Sequence, residues 1–458
     1  MIDYRGKRFL FSKPKRSSNP KRVFFLLLLI LASLFVLRSF STGQIKPLMM
    51  ATPTPTRTLG SYALEGETHF LSGNLEKAIE AYQNAVSVNP TNATLWAELA
   101  RIQVYSTSQF TTDQEKKTRL EEAFRSVEEG LKIAPDDSQL YAVRAFAMDW
   151  YGVSSIAGEN WQDFLNNGEQ AAVQALQLDS TNALALAYYA ELLVDQQKWT
   201  QAAQYIAQAL ERDDTLMDVH RVNGYVQEST ANYSLAITEY QKAIEITPNL
   251  NFLYISLGAN YRKLANLSDL TPERDHFYTL ALEAFDKAAK INEQLGVKDP
   301  IPLISIANTY VQMGQALAAS RNMLAALLFK PQDPTAYGQV GVVYYKARNY
   351  EGSILPLRCA VRGCTALETC TVRNGGAECD EAMDTEKIVI AGLPLSTNTV
   401  LYYYIYGSVL AGMNMPANQY CVEGMKVFRE ITAGFSGDET IMAIVNEGVK
   451  ICNNQGFQ

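Results

Sequence analysis

Six cysteines are the densest chemistry in this chain, and all of them fall after residue 358: Cys359, Cys364, Cys370, Cys379, Cys421 and Cys452. An even number gathered in one region reads as three disulfides where the compartment is oxidising. Zinc is the rival use of thiolates. The first four cysteines are separated by four, five and eight residues, which gives no Cys-x2-Cys pair and disfavours a structural zinc site. Histidine is scarce, with His69, His220 and His276 alone, and the first two sit at packing positions. There is no His-Glu-x-x-His, phosphate loop or Gly-x-Ser-x-Gly. Glu121-Glu122 and Glu128-Glu129 follow a helical period, as a solvated outer face does. The expectation is a chain that is not an enzyme, with no catalytic group, metal or cofactor.

An oxidising compartment has to be reached, and the N-terminus supplies the means. Of the net charge of −8, residues 1–22 hold +7 (eight Lys/Arg against Asp3), which leaves −15 on the rest. An acidic body argues against nucleic acid and anionic lipid as partners. Val23 to Leu37 is fifteen residues without a charge, between Arg22 and Arg38. As a helix it would cover roughly 22 Å, against a hydrocarbon core of about 30 Å. Snorkelling arginines and Phe40 extend it, so residues 23–40 are expected to span the membrane. A cleaved signal peptide competes, but Arg38 closes the run and Ser39-Phe-Ser41 is a poor cleavage site. The basic head 1–22 should stay in the cytoplasm and everything after residue 40 should be exported. Prolines at 47, 53 and 55 make residues 41–58 an extended linker.

The remainder repeats. Residues 73–92 place Ala78, Tyr82, Ala85 and Pro90 on one helix and its stop; residues 231–248 repeat the figure as Ala236, Tyr240, Ala243 and Pro248. Other copies carry Trp96, Leu99 and Ala100; Tyr254, Leu257, Gly258 and Tyr261; and Tyr337, Val340, Gly341 and Tyr344. Small residues let two helices of a unit approach, large ones fill the gaps between units, and Pro ends the second helix. On these residues the chain resembles the tetratricopeptide repeat family, in its membrane-anchored bacterial type, over roughly residues 59–452.

The resemblance implies an all-α fold: a right-handed α-solenoid of about nine helix-turn-helix units with a C-terminal capping helix, preceded by one transmembrane helix. Units one to eight are expected in 59–364, a Cys-containing insertion in 365–395, and a ninth unit with the cap in 396–458. Smaller insertions are expected near 106–117, 152–158 and 265–274. In such a solenoid certain places of each first helix line the inner groove. Here they hold Arg101, Tyr105, Phe146, Trp150, Arg221, Tyr225, Arg262 and Tyr345, with Asp149, Glu191, Asp195, Asp218 and Phe252 among them. Aromatic and arginine side chains are frequent interface anchors, so the first eight are the candidate protein-binding groove. The Lys/Asn clamp that some members use for acidic C-terminal tails is missing. Cys421 in the ninth unit and Cys452 in the last helix are expected to pair; Cys359, Cys364, Cys370 and Cys379 leave three pairings open.

The function implied is a membrane-anchored, exported scaffold that binds proteins or peptides and supports assembly of cell-envelope complexes. The alternatives are a structural or self-associating solenoid, in which a homo-oligomer fills the groove, and a non-catalytic helper subunit of an envelope glycan-modifying enzyme.

Overall fold

The computed structural model describes residues 19–41, 59–380 and 384–457. The basic head up to residue 18 and the linker from residue 42 lie outside them. Residues 1–58 and 59–458 form separate units.

The first unit contains α1 (Pro20–Ser41), of 22 residues, or roughly 33 Å at 1.5 Å per residue. That exceeds what the apolar run alone would reach. The gain comes from both flanks: Pro20 sits at the helix start, where its missing N–H costs nothing, and Asn19 Oδ1 accepts from Lys21 N at 3.1 Å. Its apolar side chains are exposed, Phe24 by 69% and Phe35 by 70%. By length and composition α1 can cross a membrane.

In the second unit the described residues form nine helix pairs. They are α2 (Leu59–Leu71) with α3 (Leu75–Val88), α4 (Ala93–Ser106) with α5 (Asp113–Ile133), and α6 (Ser138–Gly152) with α7 (Trp161–Leu178). Next come α8 (Ala183–Asp195) with α9 (Trp199–Arg212), α10 (Met217–Ser229) with α11 (Tyr233–Ile246), and α12 (Asn251–Leu267) with α13 (Thr271–Leu295). Then follow α14 (Ile301–Gln312) with α15 (Ala316–Leu327) and α16 (Pro334–Lys346) with α17 (Tyr350–Arg362). A short α18 (Ala366–Arg373) precedes the ninth pair, α19 (Val400–Gly412) with α20 (Tyr420–Phe435), and α21 (Glu439–Asn454) closes the array. The repeat is that of an α-solenoid.

The small-residue places do what the pattern implies. Ala78, Ala85, Ala236 and Ala243 are fully buried. A Cβ at Gly258 would come within 2.7 Å of the Phe285 ring, and one at Gly407 within 2.7 Å of Phe428. Asn74, Asn92, Asp137, Asn182 and Asp333 cap the helices that follow them with side-chain acceptors. The insertions are more ordered than polar composition suggests. Thr107–Gln109 is one turn of 3-10 helix before α5, and Ser155–Asn160, before α7, is 3-10 helix broken by a kink at Gly158. Between α12 and α13 only residues 268–270 are left as a connection.

The array winds back on itself. Asn249, before α12, donates from Nδ2 to the Leu71 carbonyl at 3.4 Å, and Gln109 Nε2 donates to the Gly73 carbonyl at 3.3 Å. Gly73 has a positive φ of 77° and lies so close to the Asn249 carbonyl that a Cβ there would overlap it. Lys330, after α15, donates to the Thr111 carbonyl. Units one and two therefore meet units six and seven across one turn of the superhelix, and one apolar core runs from Phe70 to Ala284.

The far end is built differently. Residues 363–364 pair antiparallel with residues 390–391, Gly363 opposite Ala391. Disulfides join Cys359 to Cys364, Cys370 to Cys379, and Cys421 to Cys452. The insertion is not held by crosslinks alone: Val372, Ile388 and Ile390 are buried in the core under α16 and α17. Arg373 bridges Asp384 at 2.7 Å and Glu386 at 2.6 Å, and Arg358 pairs with Glu368.

Candidate functional site

The first helices of units two to five, α4, α6, α8 and α10, turn their inner faces toward one another. What they bring together is charged and aromatic. Asp218 on α10 accepts from Tyr105 Oη and Tyr188 Oη, both at 2.5 Å, and from Arg101 Nη1 at 2.9 Å. Beside it, Arg221 makes a two-pronged pair with Glu191 at 2.7 and 2.5 Å. Arg221 Nε also donates to Tyr105 Oη at 3.1 Å, and Trp150 Nε1 to Glu191 Oε1 at 3.1 Å. The Arg221 guanidinium lies 5.5, 5.4 and 5.9 Å from the rings of Tyr105, Phe146 and Trp150, inside the range where a cation is attracted by a ring face. Phe146 stacks on Tyr188 with centroids 4.3 Å apart, and Tyr105 on Phe252 at 5.4 Å.

This is a buried network. Tyr105 and Tyr188 have no exposed surface, and Asp218 and Arg221 are 3% and 6% exposed. Burial opposes ionisation of Asp218, but Arg101 and the two phenols outweigh it and hold its carboxyl below the usual range. Burial likewise opposes the Arg221 charge, and Glu191 overcomes it. Each such pair is stable only as a pair: removing one partner leaves an uncompensated buried charge and costs about 3–5 kcal/mol.

Two carboxyls have no such cation. Asp149 on α6 is 1% exposed and neither of its oxygens receives a hydrogen bond from an N–H or hydroxyl. Burial first, then the nearby Asp195 and Glu191, push its carboxyl well above the ordinary range. Asp195, at the end of α8, accepts from Tyr225 Oη at 2.5 Å, yet burial pushes it up to about 6.

The inner face is not filled throughout. Against the network lies an open cleft of about 410 Å³, lined by Trp150, Glu191, Asp195, Arg221, Tyr225 and Phe252 among others. Six of the candidate residues thus gather at one place, Tyr105, Phe146 and Arg101 inside it and Trp150, Arg221 and Tyr225 at the cleft wall. The other two lie elsewhere. Arg262 packs over Phe285 at 5.4 Å and donates to the Ser305 carbonyl; Tyr345 sits beside Tyr350 at 5.7 Å near the C-terminal core. His220 is buried between Glu239 and the Asp214 carbonyl, each at 2.7 Å from a ring nitrogen. These acceptors hold its pKa above the ordinary value, with Glu239 the main cause. Tyr188 was not foreseen, because it lies off the inner places of the repeat. Among the described residues no group of His, Cys, Asp and Glu is arranged to hold a metal.

The family description "TPR repeat" matches residues 66–104, and "Tetratricopeptide repeat" matches residues 168–251. Both intervals fall on the helix pairs described above. This chain is a tetratricopeptide-repeat protein. No curated protein sequence matches it. Solved structures do. The human IFIT1 dimer with PPP-AAAA is 14% identical, with 88% of this chain and 92% of that one covered and a TM-score of 0.52. A monomeric IFIT1 mutant with m7Gppp-AAAA is 12% identical, over 87% and 90%, at 0.55. A thermophilic TPR protein of Thermus thermophilus is 16% identical over 44% of this chain and 98% of its own, at 0.36. At these identities the likeness is one of fold. Tetratricopeptide repeats indicate a protein-interaction or scaffold role.

Proposed function

We propose that this tetratricopeptide-repeat protein is a membrane-anchored scaffold, held by α1 with its N-terminus in the cytoplasm and its array outside, that binds a protein or peptide and supports assembly of envelope complexes. The observation that carries the binding part is the cleft: aromatic walls at Trp150, Tyr225 and Phe252 beside fixed charges on a rigid helical frame. Tyr105, Phe146 and Arg101 then belong to the buried network against which it lies, while Arg262 and Tyr345 belong to packing. The anchor is supported by the length and exposure of α1, and export by six cysteines in three disulfides with none free among the described residues. An acidic body and carboxylates at the cleft disfavour nucleic acid.

A structural solenoid is the second reading, favoured by how much of the inner face is occupied by the chain's own ion pairs. Crosslinking followed by recovery of the tagged full chain from its native membrane separates the two. The scaffold reading expects specific partners whose recovery drops with Trp150→Ala and Tyr225→Ala; recovery unchanged by both supports the structural solenoid. Added protease should digest the array on intact spheroplasts; a protected array would reverse the orientation.

A further inference from the structure

Two carboxyls at the cleft have no cation at hydrogen-bond distance. Asp218 is matched by Arg101 and Glu191 by Arg221, each at hydrogen-bond distance. Asp149 and Asp195 are matched by nothing cationic. Asp149 is 1% exposed with both oxygens unserved, and it backs onto Asp195, the carboxyl that reaches the cleft wall. A buried acid without a donor is costly and marks a place where a donor from outside fits. The walls suit the same visitor. Trp150, Tyr225 and Phe252 line the same cleft, and aromatic rings attract cations most strongly where water is excluded.

We propose that the cleft receives a lysine or arginine side chain of a partner polypeptide, with Asp195 as its counter-ion and Trp150, Tyr225 and Phe252 as its walls. This rests on the cleft being a peptide-binding surface, and names the chemistry it reads. The groups facing Asp195 are Asp149 from α6, Glu191 from its own helix, and Arg221 and Tyr225 from α10, with Lys116 of α5 and Tyr240 of α11 also on the cleft lining. Arg221 is held by Glu191, so the incoming cation faces one unpaired carboxylate. A bound cation favours the ionised form of Asp195, and protonation removes the counter-ion. Binding should weaken about tenfold from pH 7 to pH 5, as one proton taken up near pH 6 requires.

The test is selection of phage-displayed random nonapeptides on the full chain in detergent micelles, followed by affinity measurements. The expected result is enriched peptides sharing one lysine or arginine. Acetylation or norleucine at that lysine, or Asp195→Asn in the protein, should each weaken binding by tenfold or more. Asp195→Asn keeps an acceptor for Tyr225, and a melting temperature no lower than that of the parent chain shows that the fold is retained. Peptides that need Trp150 and Tyr225 but carry no shared basic residue, or bind Asp195→Asn equally well, overturn this inference and leave the peptide-binding cleft standing. Spermidine competing as well as the lysine peptide also overturns it. If no enriched peptide depends on Trp150 or Tyr225, both readings fall.

Discussion

The two ends of the array solve one problem with different chemistry. A tetratricopeptide unit cannot bury its own faces, so each end of a stack is under-covered. Units one to six coil until the first meets the sixth, and the inner faces then bury charge: Arg101 reaches Asp218 and Tyr105 stacks on Phe252. Among the described residues the C-terminal end meets no later unit. It is closed by α21, by the Cys421–Cys452 bond between α20 and α21, and by an insertion stitched through two shorter disulfides. Ion pairs hold where winding supplies burial, and covalent bonds hold where it does not.

That contrast can be broken at several strengths. Arg221→Met should have the largest effect, because Glu191 is then buried without its cation; a loss of about 3–5 kcal/mol is expected in chemical unfolding. The loss should be centred on α4 to α10 in hydrogen exchange and leave α20 and α21 untouched. Cys421→Ser with Cys452→Ser opens a loop with a sequence separation of 31, worth about 3–4 kcal/mol in the chain-entropy account. Exchange should rise in α20 and α21 and stay as it was in α4.

A smaller effect comes from acid. Asp149 and Asp195 have folded pKa values above the unfolded value, so the folded state holds more protons than the unfolded one. The Asp195 contribution is favourable at low pH and is lost as pH rises from about 4 through about 6, and Asp149 acts in the same direction. Asp149→Asn should therefore raise the melting temperature at pH 7 and flatten its pH dependence over that window. Glu239 responds the other way at acid pH: although burial alone would raise its pKa, its bonds to His220 and Lys242 hold it down to about 2, so its contribution fades as pH falls below the unfolded carboxyl value. The comparison with Asp149→Asn isolates the aspartate pair. The smallest effect should be Lys132→Ala on the outer face of α5, where the pair to Glu129 is exposed on both sides and is expected to contribute less than about 1 kcal/mol.

The helix pairs were legible because their signal is steric and local: Ala78, Tyr82, Ala85 and Pro90 constrain each other within one unit. The gathering of Arg101, Tyr105, Trp150, Arg221 and Tyr225 at the inner face was legible in the same way, since the repeat fixes which side of a helix faces inward. Their partners were not. Whether Arg101 meets solvent or Asp218 depends on the winding of four units, which accumulates from small rotations that no single repeat displays. Tyr188 escaped because it lies off those inner places. The length of α1 escaped because Pro20, Lys21 and Arg22 read as the end of the basic head yet form its first turn. The pairings of Cys359, Cys364, Cys370 and Cys379 turn on the short strand pair at residues 363–364 and 390–391, which two residues per strand cannot announce.

The central claim is that the superhelix closes on itself, so that unit six seals the inner face of unit two. A photoreactive benzoylphenylalanine in place of Phe252 tests it most directly. Phe252 stacks on Tyr105 at 5.4 Å with the rings inclined by 5°, so irradiation of the full chain should give an intramolecular crosslink to the α4 peptide, residues 93–106, in mass spectra. Crosslinks confined to neighbouring α10, α11 and α13, with none to α4, would contradict the closed axis and with it the buried network and the cleft.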